Sequence, residues 1–334
     1  MKRVLAFLIA AAFALASLPA VFAEDAMKYD LTSGDFEIRD PFVLVHDGLY
    51  YMYGTGATVR KGYGCCISPD LVHWAGPFNV FTAADNFDGV KDFWAPECRE
   101  YGGKFYLFAT YYSRTTGHRG VSIFRADDPL GPFEEITDGH VTPHDRDCID
   151  GTLYVDDAGQ PYMVYVEEWT SADDGVGRMA AAPLSADLTQ FTAEPQELFR
   201  ADDPKWKPHG ITDGPFLYKS SSGKLLMLWS NGSPEGYCVA LAAAKTVTGP
   251  WRQQRARLFV KDKHHAEDGG HGMLFTDLNG QLTLCIHAPN GGAPARVQFY
   301  PVRDLGYTLA IDETPTARTW FLRCIDFWTQ LLFG

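Results

Sequence analysis

The chain is short of positive charge. Its 29 Lys and Arg are outnumbered by 42 Asp and Glu, for a net charge of −13, which argues against a nucleic-acid or anionic-membrane partner and for a neutral or weakly charged ligand. Cys-x-x-Cys pairs and a His-Glu-x-x-His run are both missing, so a structural or catalytic zinc centre has no support. The seven cysteines make an odd count, Cys65 and Cys66 are adjacent, and Cys98, Cys238 and Cys285 fall in strand-like stretches that suit a small buried hydrophobe. At most one disulfide is expected. Long helical patterns are absent, and no Pro/Gly/Ser linker or low-complexity run divides the chain, so a single domain is expected.

Only one apolar run is long. Val4 to Leu18 follows Lys2 and Arg3 and precedes Val21-Phe22-Ala23, the pattern of a signal peptide over residues 1–23 with export to the periplasm or the medium. A retained anchor is the weaker reading, because the run falls short of the roughly 20 apolar residues a span needs. No membrane association is expected once the leader is removed. Residues 320–334 are apolar for a terminus and read as a last element docked on the fold and helping to close it.

What the chain does have is a repeat. Segments 40–55, 95–110, 149–166, 212–231 and 270–287 each run from a polar or acidic start through a short alternating strand and a turn to a second, aromatic strand. A period of about 50 to 60 residues, with two strands evident and room for two more, is what a four-stranded propeller blade requires. Segments 68–74, 126–133, 185–191 and 244–251 add outer turns ending in an aromatic ring, expected to pack between neighbouring blades. Residues 24–334 are therefore expected to form one all-β, five-bladed β-propeller. An irregular β-sandwich would not space its turns so evenly.

Propellers place function at one end of the central channel. The innermost strands begin there, which gathers Arg39-Asp40, Trp94 to Glu97, Asp150, Asp213 and His271. The antiparallel second strands return to the same face and add Thr55, Tyr111, Glu168, Trp169, Asn231 and His287. His209, just before the fourth inner strand, is a further pocket candidate, whereas His264-His265, Asp173-Asp174 and Asp202-Asp203 read as solvated loop residues. Taken singly, each Asp reads as a turn former. Three at equivalent blade positions, beside Trp and His, point to glycosidic bond cleavage, in which one carboxylic acid protonates the leaving oxygen and an ionised one activates water or attacks the sugar.

Arg39-Asp40-Pro41-Phe42, Phe93-Trp94-Ala95-Pro96-Glu97, Ile149-Asp150-Gly151-Thr152, Thr212-Asp213-Gly214-Pro215 and Gly270-His271-Gly272, in this order, give residues 35–305 a resemblance to glycoside hydrolase family 43, five-bladed propeller enzymes that act on arabinofuranosides and xylosides with inversion. The resemblance implies that Asp40 is the general base and that Asp150 orients the acid and raises its pKa. It implies Trp94 as a wall of the sugar pocket and Arg296 as a sugar contact, and Glu97, Trp169 and His209 join these as substrate-binding candidates. It implies no required cofactor, although in many members the histidine at the His271 position faces a calcium ion or a water cluster on the axis, which makes His271 the candidate metal-facing residue.

One departure from the family is evident. Its acid is usually a glutamate before Gly-Pro, and here that residue is Asp213, one methylene shorter. Three readings stay open: Asp213 serves as acid on a slightly repositioned backbone, Glu168 supplies the proton, or the chain binds sugar without cleaving it. The expected activity is that of a monomeric exo-acting arabinofuranosidase or β-xylosidase on arabinose- or xylose-containing oligosaccharide or polysaccharide. The alternatives are an endo-arabinanase, marked by an open groove, and a silent carbohydrate-binding propeller.

Overall fold

Among the described residues, twenty short strands, apolar on the buried side and joined by tight turns, pair in antiparallel order with their chain neighbours. The computed structural model describes residues 27–58 and 60–333; the expected leader lies outside them. Five four-stranded sheets follow one another in sequence. The first is β1 (Arg39–His46), β2 (Leu49–Thr55), β3 (Gly62–Ser68) and β4 (Ala75–Thr82), and the second is β5 (Gly89–Tyr101), β6 (Lys104–Ser113), β7 (Arg119–Ala126) and β8 (Glu134–Glu135). The third comprises β9 (Cys148–Val155), β10 (Pro161–Glu167), β11 (Arg178–Pro183) and β12 (Gln196–Arg200). The fourth comprises β13 (Asp213–Lys219), β14 (Leu225–Ser233), β15 (Gly236–Ala244) and β16 (Arg252–Gln253), and the fifth β17 (Gly270–Thr276), β18 (Leu282–Ala288), β19 (Arg296–Asp304) and β20 (Leu309–Ile311). The expected five-bladed propeller is what forms.

Local chemistry sets the hairpins. Asp47-Gly48 and Gly102-Gly103 both have positive φ at two successive residues, the primed turns that match strand twist. Asp156 and Asp277 instead accept backbone N–H groups two and four residues ahead, 2.8–2.9 Å away, so the side chain builds the turn. Aromatic rings at the outer turns seal blade seams: Trp74 stacks on Phe299 of the fifth blade, and Trp251 meets Phe199 of the third. Along the axis the Arg99 guanidinium lies 4.7 Å from the Phe42 ring and 4.8 Å from that of Phe216, so the channel is plugged rather than open.

Two expectations are corrected here. The tail is a helix, α1 (Ala317–Phe333), although no helical pattern was expected. It does not close the ring. The Asp326 carboxylate accepts the backbone N–H groups of Arg255 and Ala256, and Phe327 meets Tyr307, so α1 crosses the outer edges of blades four and five. Closure comes from β1 packing on β17 and β18, with Ile38 N–H donating to the Ala295 carbonyl. All seven cysteines are free thiols.

Candidate active site

The site grows from a device repeated five times. Asp40, Ala95, Asp150, Gly214 and His271 have φ of 52, 42, 57, 50 and 52°, and in each inner strand the ladder to the second strand is irregular at this point. Such left-handed conformations cost on the order of 1–3 kcal/mol for residues other than glycine, so something must hold them. The holder is the preceding blade. Thr55 Oγ1 accepts the Ala95 N–H at 2.8 Å, Thr110 Oγ1 that of Asp150 at 3.1 Å, Ser230 Oγ that of His271 at 2.8 Å, and His287 Nδ1 that of Asp40 at 3.1 Å. At the third blade this position is Val166, which has no acceptor, and the Gly214 N–H donates instead to Asp150 Oδ2 at 2.9 Å.

The same registration corrects one expectation. Asp213 pairs with Ser230 as Arg39 pairs with Thr55, so Asp213 stands one residue before the bulge and is not equivalent to Asp40 and Asp150. The residues before the bulge, Arg39, Trp94, Ile149 and Asp213, line a cavity of about 400 Å3, with Asp40, Asp150 and His271 also in its wall. That volume lies in the range of small-ligand sites.

Electrostatics separate the three aspartates. Burial pushes the Asp40 carboxyl up, but the charge of His271, whose Nδ1 is 3.2 Å from Asp40 Oδ1, and the Thr55 hydroxyl donating to Oδ2 at 2.7 Å hold it well below the usual carboxylate range. Burial alone would lower His271, yet Asp40 and Asp150, the latter 3.8 Å away, raise it to about 10. Asp150 and Asp213 are both raised, by burial first; Asp150 then gains from nearby Asp40, and Asp213 from nearby Asp150. Asp213 is raised further: the Asp150 charge beside it outweighs the lowering by His271 and the Tyr237 hydroxyl, whereas at Asp150 the lowering by His271 outweighs the effect of Asp40. Tyr237 donates its hydroxyl to Asp213 Oδ2 at 2.8 Å. Burial lowers His287 to about 4. Its Nδ1 accepts from the Asp40 amide, so its 3.5 Å approach to Asp40 Oδ1 is no ion pair.

Other expected residues divide. Trp94 and Trp169 line the cavity, and the Trp94 ring is held by the Arg119 guanidinium 5.0 Å from its centroid. Glu168 lines it too, but Arg119 clasps both its oxygens at 2.8 and 3.2 Å; burial raises its carboxyl while Arg119 opposes this. Glu97 is buried deeper, accepting from Thr152 Oγ1 at 2.7 Å and Arg99 at 3.2 Å. Arg296, His209, Tyr111 and Asn231 are not among the cavity's lining residues. Arg296 begins β19 and donates to the neighbouring Ala295 carbonyl; His209 is exposed and packs on Gly232. The arginine in the wall is Arg39, anchored by two donations to Asn290 at 2.9 and 2.8 Å. His265, expected in solvent, is buried against Phe259 and Tyr300.

Arg119, Tyr237 and Asn290 had escaped the sequence reading. The signal was available, since the third strand of each blade runs parallel to the first and also starts at the channel mouth, as Arg119 and Tyr237 do. Among the described residues no group of three or more His, Cys, Asp or Glu is arranged to hold a metal ion. Calcium prefers six to eight oxygens, and His271 turns Nδ1 to two carboxylates, so the donors present do not make a protein-ligated calcium site.

The sequence model described as Glycosyl hydrolases family 43 matches residues 35–312. The extracellular endo-α-(1→5)-L-arabinanase 1 of Bacillus subtilis is 20% identical over 247 residues, 70% of this chain and 73% of that protein. Among solved structures, an endo-arabinase from Bacteroides thetaiotaomicron is 34% identical with a TM-score of 0.74, covering 82% of this chain and 97% of its own. An endo-1,4-β-xylanase from the same organism is 26% identical with a TM-score of 0.71, covering 84% and 95%.

Proposed function

The chain belongs to glycosyl hydrolases family 43, and on this footing we propose that it cuts α-1,5-linked L-arabinan or its oligosaccharides internally, with inversion, using Asp213 as general acid and Asp40 as general base. One arrangement carries the chemistry: a single cavity holds one carboxyl whose surroundings favour its ionised form and another whose surroundings favour its protonated form. Opposite environments for two acids are the requirement for acid–base cleavage of a glycoside at neutral pH.

In this mechanism Asp40, ionised beside the His271 imidazolium, takes a proton from a water whose oxygen attacks the anomeric carbon. Asp213 gives its proton to the departing glycosidic oxygen as that C–O bond breaks. The new bond forms on the opposite face, which inverts the centre. Asp150 keeps the proton on Asp213 until it is needed, by placing negative charge nearby. Arg39 retains N–H donors for sugar hydroxyls after its two to Asn290, and Trp94 and Trp169 offer ring faces for stacking. No step passes through a metal ion.

Internal cutting is supported by the cavity's neighbour. A hollow of about 370 Å3 over the third blade, lined by Asp145, Arg146 and Glu167 among others, shares Glu168 with the main cavity, so a sugar chain has somewhere to continue. Exo removal of arabinofuranosyl or xylosyl ends, the activity first expected, calls for a pocket closed there. The 26% identity to a xylanase structure keeps β-1,4-xylan as a second substrate reading. The test is hydrolysis of linear α-1,5-arabinan followed by viscosity and product length. Rapid loss of viscosity with oligosaccharides preceding arabinose is expected. Arabinose alone from the first time point would mean exo action; cleavage only of xylan would move the substrate. Binding without hydrolysis of either, or of aryl α-L-arabinofuranoside and aryl β-D-xyloside, would mean a silent propeller.

A further inference from the structure

An amphipathic helix on a globular surface turns its apolar stripe inward and its charges out. Helix α1 departs from this: Leu322, Cys324 and Ile325 are only partly covered, Arg318 is exposed, and its most covered residue is charged. Asp326 is 5% exposed, its carboxylate spent on the Arg255 and Ala256 amides, and Thr319, Arg323 and Gln330 share its partly covered side. Trp320, Phe321, Trp328, Leu331 and Leu332 are 57–67% exposed. Their spacing of one, three, four and seven residues puts them on one face, an apolar patch of a kind that marks an interaction surface.

Charge around this face runs against that of the whole protein. A hollow of about 200 Å3 beside the last turns of the helix is lined by Lys224, Lys245 and Arg252, with Gln330 of α1 and no carboxylate. Arg255 and Arg318 are exposed along the same edge, although Arg318 is engaged with Glu235 at 3.4 Å. The overall net charge of −13 therefore conceals a local cationic rim on an apolar, tryptophan-bearing helix. That combination matches helices that lie in the headgroup region of a bilayer.

We propose that α1 docks the propeller edge-on to a bilayer of anionic phospholipid, with Trp320, Trp328 and Leu332 entering the headgroup boundary and Lys224, Lys245 and Arg252 facing lipid phosphate. A second copy of the chain fits less well, since pairing two such faces would bring two cationic rims together. The pose leaves the sugar site free. None of the cavity-lining residues belongs to α1 or to the cationic hollow. The proposal runs against the expectation of no membrane association once the leader is removed.

The test is co-sedimentation of the full chain with equimolar phosphatidylglycerol–phosphatidylcholine vesicles and with pure phosphatidylcholine vesicles, at low and high salt. Binding to the anionic vesicles that weakens with salt is expected. Trp328→Ser with Leu332→Ser should abolish it, and Lys224→Glu, Lys245→Glu and Arg252→Glu together should weaken it by at least about 100-fold, from the worth of each cation near an anionic surface. All these positions are on the surface, so an unchanged melting temperature confirms that the variants fold. No binding at low salt overturns the proposal. So does equal, salt-insensitive binding to phosphatidylcholine, or binding that survives both sets of substitutions, which would place it elsewhere, as in an uncleaved leader. A dimer that Trp328→Ser with Leu332→Ser converts to monomer, without vesicle binding, overturns it in favour of self-association.

Discussion

Val166 interrupts a pattern that the other four blades keep, and restoring the pattern tests how Asp150 is held. Thr110→Val would leave the buried Asp150 N–H without its acceptor, a loss of about 1–3 kcal/mol of stability. Val166→Thr, nearly the same shape, puts a hydroxyl where its equivalents accept a bulge N–H. Its change in stability should stay below about 1 kcal/mol, because the new polar group finds the Gly214 N–H. The consequence reaches catalysis. Asp150 would lose a hydrogen bond to its charged form, worth about 1.5–3 kcal/mol, which raises its pKa by about one to two units. Less charge would then stand beside Asp213, whose own raised pKa would fall. With Asp213 as the proposed acid, activity needs it protonated and is lost as pH rises through that pKa, so the alkaline limb of kcat/KM should move to lower pH. Denaturant melts and a pH–rate profile on the same two variants read both effects. If Val166→Thr destabilises as much as Thr110→Val and leaves the alkaline limb unmoved, the seam does not work through Gly214 and Asp150.

Three further outcomes are expected. Asp213→Asn should nearly abolish cleavage of substrates with poor leaving groups and spare activated aryl glycosides, while Asp40→Asn depresses both; the leaving-group dependence appearing in Glu168→Gln instead would move the acid role to Glu168. His271→Asn removes the cation that holds Asp40 down, so the acid limb of kcat/KM, lost as pH falls through the Asp40 pKa, should move up by about 1–3 units, and an unmoved limb would detach His271 from Asp40. Exhaustive dialysis against EDTA should leave the melting temperature unchanged, because an ion met by one histidine and otherwise by water adds little folding energy; a marked fall would reveal a protein-built site.

The fold was legible because its period is long and its strands alternate, so five copies reinforce one another where a single strand would be ambiguous. Asp40, Asp150 and His271 were legible for the same reason. Arg119 and Tyr237 were not, since they begin third strands, whose outer position in the blade weakens the repeat, and Asn290 lies beyond the end of a second strand. The two substrate candidates outside the cavity wall, Arg296 and His209, show a different limit. Arg296 starts a strand at the correct end of its blade, but Arg39 already fills that side of the cavity, and strand order alone does not say which of two arginines reaches the axis. Helix α1 was hidden because its aromatic and branched residues read equally well as strand, and its apolar face does not mark a buried side.

In the proposed mechanism, the shorter acid is best understood through the register. Asp213 does not replace one of the bulge residues near the axis; it stands where Arg39 and Trp94 stand, in the cavity wall, and its backbone is fixed on both sides, by pairing with Ser230 and by the bulge at Gly214 that Asp150 secures. Its side chain meets Tyr237 at once, and Tyr237 is itself anchored, with its backbone N–H on Asp268 at 3.0 Å and its ring stacked on His287. A carboxyl with fewer rotatable bonds and a rigid donor loses less freedom on reaching a reactive position than a longer, looser one. What the lost methylene removes in reach, this anchoring offsets in orientation. In the proposed mechanism the demand then passes to the substrate, whose glycosidic oxygen must come to the cavity wall at Asp213.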